Sequence, residues 1–155
     1  MKWVFLVFML GMAWRDWRKR EIWLIPCICL ALAAAAWRIW MAMSGAAFPL
    51  EEPAAALLRA AGEMALAAVP GIILLILSRV SAGAVGEGDG YFMISAGLCL
   101  GIRQVMELFF FGVMLCGLYC LGALCVGAMR GRDMRSAAVP FLPFMVPVWI
   151  CMMFR

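Results

Sequence analysis

The chain has 155 residues, of which 68% are hydrophobic and only 14% charged, with a formal net charge of +4 and no histidine. A soluble domain carries roughly half apolar and about a quarter charged residues, so this composition excludes an ordinary soluble fold and points to an all-α, polytopic membrane protein. It also excludes every mechanism that needs a histidine of this chain as base, proton shuttle or metal ligand.

The first apolar run, Trp3 to Trp14, is short against the roughly 17–25 residues of a spanning helix. Arg15, Asp16, Trp17, Arg18, Lys19 and Arg20 follow it, and no small-residue cleavage site does. A signal peptide carries its positive charge ahead of the apolar core. Charge behind the run instead predicts a retained helix whose C-terminal end faces the cytoplasm. The second run extends from Ile22 to Met43, with Arg38 expected to snorkel to the far interface. Ser44 to Pro53 contains glycine, two prolines and Glu51-Glu52, and reads as a short external loop. In the third run, Ala54 to Ser78, Arg59 and Glu63 stand at i,i+4 spacing and are expected to neutralise each other. Arg79 marks the return to the cytoplasmic side, and Ser81 to Gly88 reads as a small-residue loop.

Tyr91 to Leu100 predicts a short fourth helix. Its Gly97 and the following Gly101 lie about 40° apart around the axis, a step that permits close approach of a neighbour. The fifth run, Val105 to Met129, has Gly112, Gly117, Gly122 and Gly127 at intervals of five. Each advances about 140° around the helix, so they form no single seam and suggest tight packing on all sides. Glu107 is expected at an interface. The last run, Ser136 to Phe154, contains Pro140, Pro143 and Pro147, which predict a kinked or locally unwound segment near the cytoplasmic surface. All seven cysteines lie in apolar runs without a CxxC pair, so buried thiols are expected, with neither a zinc site nor a disulfide framework.

Six crossings result, within a single integral membrane domain over residues 1–155. The loops on one face hold Arg15, Arg18, Lys19, Arg20, Arg79, Arg130, Arg132 and Arg135, and those on the other hold Lys2, Arg103 and Arg155; eight against three makes the first face cytoplasmic. Two spans separate Asp16 from Asp89, so both aspartates belong to that face, at the cytoplasmic ends of helices 1 and 4.

A membrane-edge carboxylate is costly and by default a functional candidate. Two carboxylates that share a water can divide acid and base work, since like charges in proximity split their titration. The ionised member activates water for attack on a peptide carbonyl, and the protonated member polarises that carbonyl and supplies a proton to the departing amine. The pair is one coupled site, and which aspartate is acid and which base stays open. Gly86 and Gly88 are expected to take positive φ and to let a substrate strand pass close to Asp89. Taken singly, Asp89 also has the position of a helix N-cap, and Asp16 among basic residues that of a solvated loop acid.

Three motifs stand in order along nearly the whole chain: Asp16-Trp17-Arg18-Lys19-Arg20-Glu21-Ile22 with Pro26 beyond, Gly86-Glu87-Gly88-Asp89 leading into a glycine-containing helix, and Pro140-Phe141-Leu142-Pro143-Phe144. Together they resemble the type IV prepilin peptidase family, membrane aspartic proteases of the GxGD type. The resemblance implies catalytic Asp16 and Asp89, motif support from Gly86 and Gly88, and a structural loop or kink at Pro140, Phe141 and Pro143. Many members follow the motif aspartate with a hydrophobic residue and a lysine, where this chain has Gly90-Tyr91. The bifunctional members' N-terminal zinc extension, associated with N-methylation, has no counterpart here, so peptidase activity without methyl transfer is expected.

The family implies an endopeptidase of the cell's inner (cytoplasmic) membrane that cleaves the leader of prepilin or pseudopilin-like precursors on the cytoplasmic side. Its partners are that substrate and membrane lipid; no nucleic acid, metal or organic cofactor enters the reading. Asp16, Glu21, Glu87 and Asp89 form an acidic group suited to a basic leader, opposed by the cations between Arg15 and Arg20. The precursor cleaved, the role of Glu87 and the oligomeric state stay open. The competing readings are a small membrane transport component, in which the aspartates bind cations or protons, and a catalytically silent assembly scaffold. A conduit calls for acids near the bilayer midplane and polar helix faces, whereas these acids stand at helix ends.

Overall fold

Long apolar runs fold as helices in a bilayer because lipid offers no partner to a backbone N–H or C=O. The computed structural model describes residues 2–19, 23–44, 52–81, 86–129 and 141–154, and its elements are six α-helices. They are α1 (Lys2–Lys19), α2 (Leu24–Met43), α3 (Pro53–Val80), α4 (Glu87–Leu100), α5 (Ile102–Met129) and α6 (Leu142–Met153). Three of these, α2, α3 and Ile102–Gly127 of α5, are long and apolar enough to cross a membrane. The 14 residues of α4 and the 12 of α6 reach about 21 and 18 Å, short of a hydrocarbon core about 30 Å thick. Among the described residues, then, three of the six predicted crossings meet the length and composition of a span. Pro140 and the cationic stretch between Arg130 and Arg135 lie outside the described residues.

The chain divides into two compact units, one holding α2, α3 and α4, the other α1, α6 and α5 from Glu107 onward. In the first, α2 and α3 meet through the small side chains of Ala42, Ala56 and Ala60, with Leu57 packed beside them. α4 lies against both helices and is enclosed, with Gly90, Phe92, Met93, Ser95, Ala96 and Gly97 all buried. Its contact with α3 is a notched antiparallel seam. A Cβ at Gly90 would fall 2.6 Å from Leu75 Cγ, one at Gly71 would fall 2.6 Å from the Gly90 carbonyl oxygen, and one at Gly97 would overlap the Ala67 carbonyl. Small residues that let backbones approach are the usual glue between helices in lipid. Gly90 is thus a packing notch for Leu75.

In the second unit, α1 presents Phe5, Met9, Met12, Ala13 and Asp16 as one buried stripe at helical spacing. It runs antiparallel to α6, which buries Leu142, Met145, Val148 and Trp149. Phe5 meets Trp149 edge to face with centroids 5.0 Å apart, and Tyr119 of α5 lies 5.2 Å from Phe144.

Several expectations change. Arg38 has partners that the sequence did not supply: its Nε donates to the Leu98 carbonyl at 2.8 Å, and its guanidinium stands 3.9 Å from the Glu63 carboxylate. Glu63 therefore reaches across to α2, a partner the i,i+4 spacing did not suggest. The α5 glycines do not share tight packing, since a Cβ at Gly112 would meet Met145 whereas Gly117 and Gly122 have nothing within 4 Å. Of the cysteines only Cys27 is buried; Cys29, Cys125 and Cys151 lie on helix faces turned away from the protein, because an apolar run in lipid needs no protein partner to be satisfied.

Candidate functional site

Asp16 stands near the C-terminal end of α1, and its helix continues to Lys19. Asp16 is helical and buried, 7% exposed, which does not fit the alternative of a solvated loop acid. It shares the stripe of Met9, Met12 and Ala13, so the packing of α1 on α6 carries it inward. There its Oδ2 accepts a hydrogen bond from the Leu142 N–H at 3.3 Å. Leu142 is the first residue of α6, where backbone donors have no partner within the helix and the dipole favours an anion. Pro143 follows with no N–H to offer, and Phe144 N–H turns back to the Phe141 carbonyl at 3.1 Å. Pro143 occupies the opening turn of α6, a position compatible with helix, so it starts the helix and Pro147 is the proline in its interior. Asp16 lies outside the three candidate spans, and burial pushes its carboxyl above the ordinary value while the Leu142 N–H draws it part of the way back.

Asp89 is positioned by α4. Gly86 is the N-cap, with no side-chain cap, and Glu87, Gly88 and Asp89 form the first helical turn. The predicted loop thus ends at Gly86, and Asp89 is the third helical residue in place of the cap. Its carboxyl folds back over the helix start: a Cβ at Gly86 would lie 3.2 Å from Asp89 Oδ2. Positive φ is not the reason for this glycine, since Gly86 has φ −65° and Gly101 is the glycine with positive φ among the described residues. The open face of Gly86 gives the Asp89 carboxyl its place, while the α3 seam begins one residue later at Gly90. Glu87 is exposed.

The structure brings Asp16 onto the Phe141-Leu142-Pro143 stretch and Gly86 beneath Asp89; the two aspartates belong to different units. Leu142, whose backbone rather than side chain makes the contact, was missed in the sequence, where a proline after an apolar residue was the available sign of a helix start. Among the described residues no three acidic or cysteine side chains converge in a way that could hold a metal ion. Comparison with models of known protein families, with curated proteins and with solved structures gives no match.

Proposed function

We propose that this chain is a membrane aspartic endopeptidase resembling the type IV prepilin peptidases, in which Asp16 and Asp89 divide the acid and base work of peptide hydrolysis at the cytoplasmic face of the inner membrane. The observation that carries the reading is the hydrogen bond from the Leu142 N–H to the buried Asp16 carboxyl, which joins two of the three sequence motifs across 126 residues. A carboxyl kept from water toward its protonated form is what shared acid and base catalysis requires of one partner. The second support is the exposed start of α4, where the Asp89 carboxyl lies over the bare Gly86 in the first helical turn. In this reading the chain crosses the membrane six times, and its substrate is a prepilin or pseudopilin-like precursor with a short basic leader ahead of an inserted apolar helix.

Leader cleavage in membranes tests it, with wild type compared with Asp16→Asn and Asp89→Asn after equal insertion is verified. Loss of cleavage in each variant is expected. Full activity in either one refutes the two-aspartate mechanism. One observation favours a second reading, a silent scaffold: the hydrogen bond from α6 gives Asp16 a structural duty of its own. A wild type inactive on every leader offered, yet destabilised by Asp16→Ala, is the result that reading expects.

A further inference from the structure

A bilayer sets the depth of a helix by matching its apolar length to the hydrocarbon core, or else leaves that depth to neighbouring helices. α2 and α3 are long enough to take the first route and α4 is not. Its depth must come from contacts. The seam with α3 supplies glycine notches at Gly90, Gly71 and Gly97, and the far end of α4 supplies something chemically different. Arg38, carried on α2, sends its Nε to the Leu98 carbonyl at 2.8 Å. That carbonyl is in the last turn of α4, where acceptors lack helical partners and a cation is favoured by the dipole. Gly101 closes the helix with φ +87° and its N–H on the Gly97 carbonyl at 2.8 Å. A Cβ there would lie 3.1 Å from an Arg38 terminal nitrogen, so the bare glycine makes room for the guanidinium. Glu63 on α3, 3.9 Å away, completes a bridge in which all three helices of the unit meet.

We propose that Arg38 is a positioning residue that pins α4 at its C-terminal end to the spanning helix α2, and so fixes the depth of the Asp89 carboxyl at the other end. The catalytic consequence rests on the peptidase reading above; the pinning of α4 does not. Asp89 precedes Leu98 by nine residues, roughly 13 Å along a rigid helix, so a shift at one end is delivered whole to the other. A misplacement of about 1 Å costs up to roughly a hundredfold in rate.

The test compares Arg38→Met and Arg38→Lys with wild type in lipid nanodiscs, reading amide hydrogen exchange along α3 and α4 together with kcat and KM for leader cleavage. Arg38→Met is expected to speed exchange in α4 while α3 keeps its protection, and to lower kcat with KM little changed. Arg38→Lys, which still offers a donor to the Leu98 carbonyl, is expected to recover much of both. Where Arg38→Met does not insert, Arg38→Gln carries the same comparison. Unchanged α4 exchange in the neutral variant overturns the pin whatever the cleavage result, and so does a Lys variant no better than Met. Faster α4 exchange in a protein whose wild type cleaves no leader upholds the pin and removes only the peptidase reading.

Discussion

Asp16 has two separable properties, an acceptor oxygen and an ionisable proton. Asparagine keeps the first and removes the second; alanine removes both. With Leu142 N–H buried against it and Pro143 offering no donor, Asp16→Ala leaves a backbone group unpaired, at a cost of about 1–3 kcal/mol. Asp16→Asn is expected to unfold at a clearly higher temperature than Asp16→Ala in the same detergent, while both lose leader cleavage; equal unfolding temperatures would show that the Leu142 contact contributes nothing. The proton gives a second prediction. Burial raises the folded carboxyl above its ordinary value of 3.8, so between that value and the raised one the folded state binds more protons than the unfolded chain. Stability is then highest where Asp16 is protonated in both states, falls as pH rises through the window, and is level above it. Subtracting the Asp16→Asn profile from that of wild type isolates this slope. A difference that is flat, or that rises with pH, contradicts it.

At the scale of elements, the α3–α4 seam distinguishes glycines that are needed from glycines that are merely present. A methyl group at Gly97 meets the Ala67 backbone, which cannot step aside as a side-chain tip can, so Gly97→Ala is expected to cost about 1–3 kcal/mol by overpacking. Gly117→Ala on α5 meets nothing within 4 Å and is expected to be neutral or to stabilise by up to about 1 kcal/mol through helix propensity. Unfolding of the two variants in parallel decides; a tolerated Gly97→Ala would mean the helices stand further apart. The contrast also marks how far the sequence could be read. The close approach at Gly97 was visible in the sequence, though not its step to Gly101, which lies past the end of α4 with positive φ and faces Arg38 instead of α3; the helix centres were visible because apolar length is a local property. Helix ends were less so: α1 runs on through its charged residues to Lys19 and α4 begins at Glu87, since charged side chains at a membrane edge are compatible with helix. The partners of Arg38 and Leu142 were missed for a different reason. Each belongs to a hydrogen bond between a side chain and a backbone group 60 or more residues away in the chain, and no local pattern encodes such a partner.

For the whole molecule, the two aspartates can share chemistry only if they face one side of the membrane, and that condition depends on fewer crossings than the full count of six. It needs α2 and α3 each to cross, because these are the two helices between Asp16 and Asp89. Both have the length and composition for it, whereas the short α4 and α6 do not enter the condition at all. The expected direction follows from the cations: Arg15 and Arg18 precede α2 and Arg79 ends α3, which predicts that side as cytoplasmic, and Glu52 at the start of α3 is then expected on the opposite one. Reporter domains fused after Lys19, Ser44 and Ser81 test this. A reporter active only in the cytoplasm is expected to work after Lys19 and Ser81 and to fail after Ser44, and one active only outside it is expected to do the reverse. Fusions after Lys19 and Ser81 that report opposite sides would separate the aspartates by a bilayer and end the shared-water mechanism, even if each residue proved essential by itself. The three agreeing as expected would make the side of the membrane a property of α2 and α3, and leave to α1, α4 and α6 the separate task of bringing the two carboxyls to one water.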